Sequence, residues 1–138
     1  MKTLVIGAAI IDIIMKIKRL PKSGEDILCS ETVSTVGGCA YNVAGTLRGF
    51  GVDHDLFVPV GRGMYGDMIA GDLEKLGYQI LIREEESDNG YCLCLVEEDG
   101  ERTFITVKGA EGRFRPSWFE QLSQDAYDSI YVAGYQVC

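Results

Sequence analysis

The fold is decided by the stretch Gly37–Gly61, which reads GGCAYNVAGTLRGFGVDHDLFVPVG. Its two opening glycines permit backbone conformations and close approaches that a Cβ would block. Apolar residues then recur at i, i+3, i+4 and i+7, which predicts a helix with one buried stripe. That stripe consists of Ala40, Val43, Ala44 and Leu47. Asn42 lies in the first turn, off the stripe, so its amide is available to a ligand at the helix N-terminus.

Strands are predicted on both sides of this helix. Gly49 and Gly51 end the helix, and Leu56–Val60 then reads as a short buried strand. Thr3–Ala9 is a continuous apolar run that ends in small residues, which is typical of a central parallel strand buried on both faces. Asp12 follows this strand at the carboxyl end, where open α/β sheets place their ligands.

The alternation of strands and helices continues along the chain. A second helix is predicted after Val60, with its end at Gly77 and an apolar stripe of Tyr65, Ile69, Leu73 and Leu76. Tyr78–Ile82 is predicted as the next strand, so strands and helices alternate as in a parallel sheet. A short helix over residues 116–124, with Trp118 in a packing role, and a buried strand over residues 128–134 complete the expected order.

The glycine-rich stretch resembles the first signature of the PfkB, or ribokinase-like, family of carbohydrate and nucleoside kinases. The order is Gly-Gly-x-small-x-Asn-x-Ala, then six residues, Gly51, nine residues and Gly61, and every fixed position is filled. The resemblance implies an α/β fold with three α/β/α layers, a parallel central sheet and a small β-sheet lid. Residues 1–138 are then a single N-terminal portion of that domain, with lid strands at about residues 13–36 and 90–108.

The resemblance also implies where the substrate binds. Ribokinase-like proteins carry an Asp at the offset of Asp12, where it accepts hydrogen bonds from sugar hydroxyls; a solvated loop carboxylate is the alternative. The expected substrate-binding residues are Asp12, Gly37, Gly38, Cys39, Asn42 and Arg102. For Arg102 a salt bridge at the rim of the site is an equal alternative.

Three positions depart from the ribokinase pattern. Many family members have Asn two residues before the Asp, where this chain has Ile10. Cys39 and Tyr41 stand where a ribokinase carries Lys and Ala. These departures favour a substrate other than free ribose, and hexoses, other sugars, sugar acids and nucleosides all stay open.

The lid implied by the resemblance includes a hairpin. Tyr91–Val96 and Arg102–Val107 read as two strands, and Asp99-Gly100 supplies the turn. The first strand is apolar on both faces, so one face should cover a substrate, a partner subunit or both. In the family this lid closes over the sugar and often forms a dimer contact, which implies a possible homodimer.

Catalysis in the family needs residues that this sequence lacks. The resemblance implies ATP as phosphoryl donor with Mg²⁺. The second family signature, Asp-Thr-x-Gly-Ala-Gly-Asp, supplies the base and the anion hole, and it is absent here. No P-loop is present either. We therefore expect no catalytic residue in this chain, which alone should be inactive; a missing C-terminal half would bind most of the ATP and Mg²⁺.

Composition excludes several other classes. Net charge is −8 with no basic run, which argues against nucleic acid as a partner. The apolar run over residues 4–15 is too short to span a membrane. Five cysteines without a C-x-x-C spacing indicate reduced thiols in a cytoplasmic protein rather than a metal site. The only histidine, His54, and the acidic loop over residues 84–90 are both expected at the surface.

Two other functions compete with a kinase. A non-catalytic sugar-binding or regulatory module would keep the sugar site and lack turnover. A dinucleotide-binding domain would need G-x-G-x-x-G directly after the first strand. The sequence Gly7–Asp12 does not provide that motif.

Overall fold

The structure, a computed structural model, describes residues 1–134. Nine strands and two α-helices follow one another in this part of the chain. They are β1 (Lys2–Ile6), β2 (Ile10–Lys16), β3 (Glu31–Gly37), α1 (Cys39–Gly49), β4 (Asp53–Phe57), β5 (Pro59–Val60), α2 (Met64–Lys75), β6 (Ile82–Arg83), β7 (Tyr91–Val96), β8 (Arg102–Val107) and β9 (Ser129–Val132). Short 3-10 turns occur at Ala110–Gly112, Pro116–Gln121 and Gln124–Ala126. The resemblance to the family also implies a turn at Tyr135 after the last strand; Tyr135 and Cys138 lie outside the described residues.

The strands form three sheets. A parallel sheet has the order β4-β1-β9, and β5 pairs with β6, also in parallel. The four-stranded sheet has the order β3-β2-β7-β8; β2 runs antiparallel to β3 and parallel to β7, and β8 runs antiparallel to β7. Helix α1 packs on β1 and β4, and α2 packs on β2, β3 and β5. The predicted α/β class with a parallel sheet is thereby confirmed.

Two apolar clusters hold the sheets and helices together. The larger one lies where β1, β4, α1 and α2 meet, and it buries Val5, Ala9, Ile11, Ala40, Ala44, Leu56, Val58, Val60, Ile69 and Leu73. The predicted stripes of both helices point into it, except for Leu76, which follows the end of α2. The smaller one buries Leu4, Ile6, Phe57 and Ile82 beneath Leu81, Phe114, Trp118, Leu122 and Tyr127. The packing role expected for Trp118 is confirmed.

Several strand boundaries differ from those expected. The strand predicted at Tyr78–Ile82 is reduced to Ile82–Arg83. The reason is that the Tyr78 N–H donates to the Leu73 carbonyl at 2.9 Å, which extends the end of α2 instead. The strand predicted at Leu56–Val60 is divided at Val58 into β4 and β5, and β3 begins at Glu31 rather than at Ile27.

The last strand is also exposed rather than buried. Ile130, Tyr131 and Val132 in β9 are 63%, 41% and 45% exposed. Strand β9 pairs with β1 and forms the edge of its sheet. The sequence therefore predicts the strand correctly, but its apolar side chains are exposed to solvent.

His54 lies within β4 and is half-buried, so the expected surface turn is wrong. Its Nδ1 lies 2.7 Å from the Val52 carbonyl oxygen, and its Nε2 lies 2.7 Å from the Tyr78 hydroxyl. Because a carbonyl only accepts, Nδ1 carries the proton. The Tyr78 hydroxyl also donates to the Ala44 carbonyl at 3.2 Å. The histidine thus ties β4 to the chain after α2, which is a structural role.

Candidate functional site

Asp12 lies within a strand and not in a loop. Strand β2 begins at Ile10, so Asp12 belongs to the four-stranded sheet. It pairs with Thr35 of β3 and with Cys92 of β7, and Cys92 pairs in turn with Thr106 of β8. Residues directly opposite one another share a face of a sheet. These four side chains therefore form one row, and Asp12 is its only charged member.

The Asp12 carboxylate lies over Gly37. A Cβ placed on Gly37 would be 2.0 Å from Oδ2 of Asp12, a distance that no side chain could occupy. The carboxylate thus fills the space that a side chain at position 37 would take. Since α1 begins two residues later at Cys39, the structure brings Asp12 and Gly37 together beside the N-terminus of that helix.

Gly38 is required for a different reason. Its φ is +104°, in the region that favours glycine, and a Cβ there would lie 2.5 Å from the carbonyl oxygen of Ala8. The chain enters α1 by passing directly against the backbone that follows β1. Close approach at Gly38 therefore fixes where the helix N-terminus stands relative to the end of β1.

The Asp12 carboxylate has no partner among residues 1–134. It is half-buried, and no hydrogen bond or ion pair from the described residues reaches it. Burial raises its pKa above the ordinary Asp value. A partly desolvated carboxylate without a donor is costly unless a ligand supplies one. This unsatisfied acceptor is the strongest indication of a binding site in the molecule.

The start of α1 offers donors next to this acceptor. Gly38 is the N-cap residue and has no side chain to cap the helix. The first N–H groups of a helix have no partner within the helix. A hydroxyl group both donates and accepts, so an acceptor at Asp12 beside open N–H groups suits a polyol.

Asn42 and Cys39 flank the site on α1. The Asn42 N–H donates to the Gly38 carbonyl at 2.9 Å. Its side chain is exposed and lines a groove with Thr46 and Tyr78. Within residues 1–134, no contact joins the Asn42 side chain to Asp12. Cys39 is half-buried and carries a free thiol at the first helical position.

Arg102 lies away from the other expected site residues. It pairs with Val96, which pairs with Lys16, so Arg102 stands four residues along the sheet from the row of Asp12. That separation is about 13 Å along the strands. Arg102 is exposed and forms no ion pair within the described part of the chain. The structure therefore does not bring Arg102 to Asp12.

Asn89, which the sequence did not indicate as important, is 3% exposed. Its Oδ1 accepts from the Gly61 N–H at 2.7 Å, and its Nδ2 donates to the carbonyls of Ala9 and Pro59 at 3.2 and 3.0 Å. One amide thus joins the chain after β1, the strand β5 and the start of β7. The four-stranded sheet is held to the rest of the molecule at this point.

Two carboxylates beside Asn89 were missed as well. Asp88 accepts from the N–H groups of Tyr65 and Gly66, at 3.2 and 2.6 Å, and caps α2. Glu111 is 4% exposed and accepts from the N–H groups of Gly90 and Gly109, at 2.8 and 2.9 Å.

The loop over residues 84–90 is therefore only partly the solvated surface that we expected: residues 85–87 are exposed, but Glu84 and residues 88–90 are not. Glu84 is 5% exposed and pairs with Arg115 at 2.6 Å. A signal for Asp88 was available in the sequence. Helix α2 starts after Gly63 with no local capping side chain, so an acceptor had to come from elsewhere.

Among residues 1–134, no three His, Cys, Asp or Glu side chains come together as metal ligands. Nor does any helix described here have the length and apolar character needed to cross a membrane. Cys29, Cys39, Cys92 and Cys94 carry free thiols.

The fold and the site define a class of protein. A parallel sheet, a glycine pair at a helix start and an unpartnered carboxylate beside it are features of an α/β protein with a candidate site for a small polar ligand. The profile described as pfkB family carbohydrate kinase matches residues 1–137. The chain belongs to this family.

Relatives and solved structures agree with that assignment. The uncharacterized sugar kinase YegV of Escherichia coli is 40% identical over 134 residues, which are 97% of this chain and 42% of YegV. The ribokinase of Giardia lamblia superposes with a TM-score of 0.85 at 24% identity, over 97% of this chain and 42% of that one. Arabidopsis thaliana ribokinase, solved with ribose and ATP, gives 0.75 at 24% identity, over 97% and 45%.

The expected ribokinase-like fold is confirmed by these superpositions. The chain spans about two-fifths of the length of the proteins it matches.

Proposed function

We propose that the protein transfers a phosphoryl group from ATP to a hydroxyl of a sugar or nucleoside. This chain would supply the sugar-binding part. The observation that carries the proposal is the half-buried Asp12 carboxylate, which has no partner among residues 1–134 and lies over Gly37 at the start of α1. Family membership supports the reaction class.

In this proposal the acceptor sugar is positioned by two kinds of group. Asp12 accepts hydrogen bonds from one or two hydroxyls, and the first N–H groups of α1, near Cys39, donate to the same hydroxyls. Gly37 and Gly38 keep the approach open, and Asn42 adds an amide from the next turn. Arg102 would contact only a substrate long enough to reach it, because it lies about 13 Å along the sheet.

We also propose that the four-stranded sheet acts as a lid, over Ile10–Gly37 and Tyr91–Val107. Closure of such a sheet excludes water from a phosphoryl transfer that would otherwise compete with hydrolysis. Homodimer formation through this lid is part of the proposal. Exposed Phe104, Ile105 and Val107 in β8 support it. We place the protein in the cytoplasm, without nucleic acid or membrane partners, in line with its charge of −8.

ATP and Mg²⁺ would be bound mainly outside this chain. Mg²⁺ would neutralise charge on the transferred phosphoryl group, and a base would take the proton of the acceptor hydroxyl. Neither a metal-ligand group within residues 1–134 nor the second family signature is available for these tasks. We therefore propose that the 138-residue chain alone does not turn over ATP.

The test is a screen of the full-length protein as isolated from its source. Sugars and nucleosides are added with ATP and Mg²⁺, and both binding and ADP release are measured. Asp12→Asn should reduce binding of the preferred ligand at least about tenfold, because a charged hydrogen bond is lost. The matched control is Asp53→Asn, an exposed carboxylate in β4.

Each outcome decides between named functions. Turnover that depends on Asp12 supports a kinase. Ligand binding without ADP release would favour the non-catalytic sugar-binding or regulatory module. Binding that Asp12→Asn and Asp53→Asn affect equally would remove Asp12 from the site.

A further inference from the structure

The position of the Asp12 carboxylate over Gly37 depends on the backbone that carries it. No side chain among residues 1–134 holds the carboxylate by a hydrogen bond or an ion pair. A group that binds a ligand must nevertheless be held close to its productive position by the residues around it. What fixes the chain where it passes from β1 to β2, at the buried Ala9, therefore also fixes Asp12.

Residues 89 and 90 hold this passage on one side. The Asn89 Nδ2 donates to the Ala9 carbonyl at 3.2 Å, and the Ile11 N–H donates to the Gly90 carbonyl at 3.3 Å. Strand β2 then continues in register along β7. These two hydrogen bonds act immediately before Asp12 in the chain. A shift of residues 89 and 90 would therefore move the carboxylate.

The Asn89 side chain is itself anchored outside the four-stranded sheet. Its Oδ1 accepts from the Gly61 N–H at 2.7 Å, and its Nδ2 also donates to the Pro59 carbonyl at 3.0 Å. Both partners belong to β5 or directly follow it, and β5 pairs with β6. A planar amide has fixed dimensions, so it sets the separation between β5 and the Ala9 carbonyl.

The buried carboxylate of Glu111 completes this anchor. Its Oε2 accepts from the Gly90 N–H at 2.8 Å, and its Oε1 accepts from the Gly109 N–H at 2.9 Å. Gly90 directly precedes β7, and Gly109 follows the end of β8. Both peptide groups of Gly90 are thus engaged, one by Glu111 and one by Ile11. Gly90 cannot move without the loss of a buried hydrogen bond.

The start of α1 holds the same passage on the other side. A Cβ on Gly38 would lie 2.5 Å from the Ala8 carbonyl oxygen, so the helix start is in close contact with residue 8. The next residue, Ala9, is the one that Asn89 holds. Two consecutive residues therefore relate the first N–H groups of α1 to the acceptor at Asp12.

We propose that Asn89 is a positioning residue for the candidate sugar site. Its amide, with Glu111 behind Gly90, holds the Asp12 carboxylate at the distance from the start of α1 at which one ligand can contact both. Asn89 itself contacts no ligand and acts through Ala9 and the strand that follows. The consequence for binding rests on the proposed function, whereas the position of Asp12 rests on the geometry alone.

A test without a ligand follows the Asp12 carboxyl in the full-length protein. Carbon-13 NMR titration of labelled aspartate carboxyls, with Asp12→Asn for assignment, gives the pKa of Asp12. Burial raises this pKa when the carboxylate stands over Gly37. Asn89→Ala changes no charge and should return the pKa toward the ordinary Asp value, because a carboxylate that is no longer held there gains hydration.

The matched control is Leu4→Ala. Leu4 is 2% exposed and belongs to the smaller apolar cluster, so its truncation leaves a cavity and destabilises the fold away from Ala9. The pKa of Asp12 should not change in this variant. An unchanged pKa in Asn89→Ala, or equal shifts in Asn89→Ala and Leu4→Ala, would overturn the inference.

A double-mutant cycle tests the consequence for binding. The full-length protein is titrated calorimetrically with D-ribose, D-fructose and uridine, and the ligand that binds is used. Asn89→Ala should weaken its binding about tenfold in the wild type. In the Asp12→Asn background the same change should have less than about a twofold effect, because Asn89 acts through Asp12. Additive effects would show that Asn89 acts on the fold alone and would overturn the inference.

Two further provisions keep the test decisive. If Asn89→Ala does not fold, Asn89→Ser takes its place with the same expected results, since its short hydroxyl does not span the distance from β5 to the Ala9 carbonyl. If the wild type binds none of the three ligands, that result counts against the proposed function. The NMR titration then still decides whether Asn89 positions Asp12.

Discussion

Asp12 and Asn89 are both polar side chains among apolar ones, but they differ in their hydrogen bonding. Asn89 is 3% exposed, and both ends of its amide are hydrogen-bonded to three backbone groups. Asp12 is more exposed and has no partner among residues 1–134. The hydrogen bonds of Asn89 stabilise the fold. The carboxylate of Asp12 remains available to accept hydrogen bonds from a ligand. Hydrogen-bond satisfaction, more than burial, separates the structural group from the candidate binding group.

The largest effect is expected for Asn89→Ala. It would leave the Gly61 N–H and the carbonyls of Ala9 and Pro59 without partners in a buried place. Each unsatisfied group costs about 1–3 kcal/mol, so we expect a loss of about 3–5 kcal/mol in the free energy of unfolding. Urea denaturation measures this. Asn42→Ala, at an exposed amide without a described side-chain partner, is the control and should cost less than about 0.5 kcal/mol.

A loss below about 1 kcal/mol for Asn89→Ala would contradict the structural role that we assign to Asn89 in contrast to Asp12. It would mean that water replaces the amide at this position and that the junction between the sheets is open to solvent.

The neighbouring glycines Gly37 and Gly38 should respond differently to alanine. Gly38→Ala forces a side chain into a positive φ and against the Ala8 carbonyl, so we expect a loss of about 2–3 kcal/mol. At Gly37 the obstacle is only the end of the Asp12 side chain, which can turn away. Gly37→Ala should therefore cost less than about 1 kcal/mol and yet abolish the position that Asp12 holds.

Thermal unfolding and ligand titration together check this pair. Gly37→Ala should retain its folded structure and lose affinity for the preferred sugar or nucleoside. Retained affinity would show that the observed position of the carboxylate over Gly37 is not the one that binds.

The sequence predicted Asp12 more easily than Asn89, and the reason is physical. Asp12 is conspicuous because it interrupts an apolar strand, and the glycine pair marks the helix start beside it. Asn89 and Glu111 stand in polar stretches that resemble any solvated loop. Their burial arises because β7 and the turn after β8 come together in space, which no local pattern encodes.

The predictions of some strand boundaries were wrong for a similar reason. Tyr78–Ile82 is an apolar segment, as a strand would be. The Tyr78 hydroxyl, however, is hydrogen-bonded to His54, and the Tyr78 N–H donates to a carbonyl of α2. These interactions cannot be read from the local sequence. The hairpin at residues 91–107, by contrast, was predicted to the residue. Two short runs of strand-forming residues with Asp99-Gly100 at the turn between them are a local signal.

The smallest effect on stability is expected for Asp12→Asn, and its sign depends on pH. Burial raises the pKa of Asp12 in the folded protein. Between the unfolded value of about 3.9 and the raised folded value, the folded state binds more protons, so Asp12 lowers stability as pH rises. Asp12→Asn removes this term. The variant should equal the wild type near pH 3.5 and be slightly more stable at pH 7, by less than about 1 kcal/mol.

Glu85→Gln provides a control of opposite sign. Glu85 accepts a hydrogen bond from Arg62 at 3.0 Å, and this interaction lowers its pKa. Its contribution is present above the unfolded value and is lost as pH falls, so the glutamine variant should be less stable than the wild type at pH 7 and equal to it at low pH. Urea denaturation of both variants from pH 3.5 to 7 separates the two cases. If Asp12→Asn followed the Glu85→Gln pattern, Asp12 would have a partner in the folded protein. The lack of a partner would then no longer distinguish the candidate binding group Asp12 from the structural group Asn89.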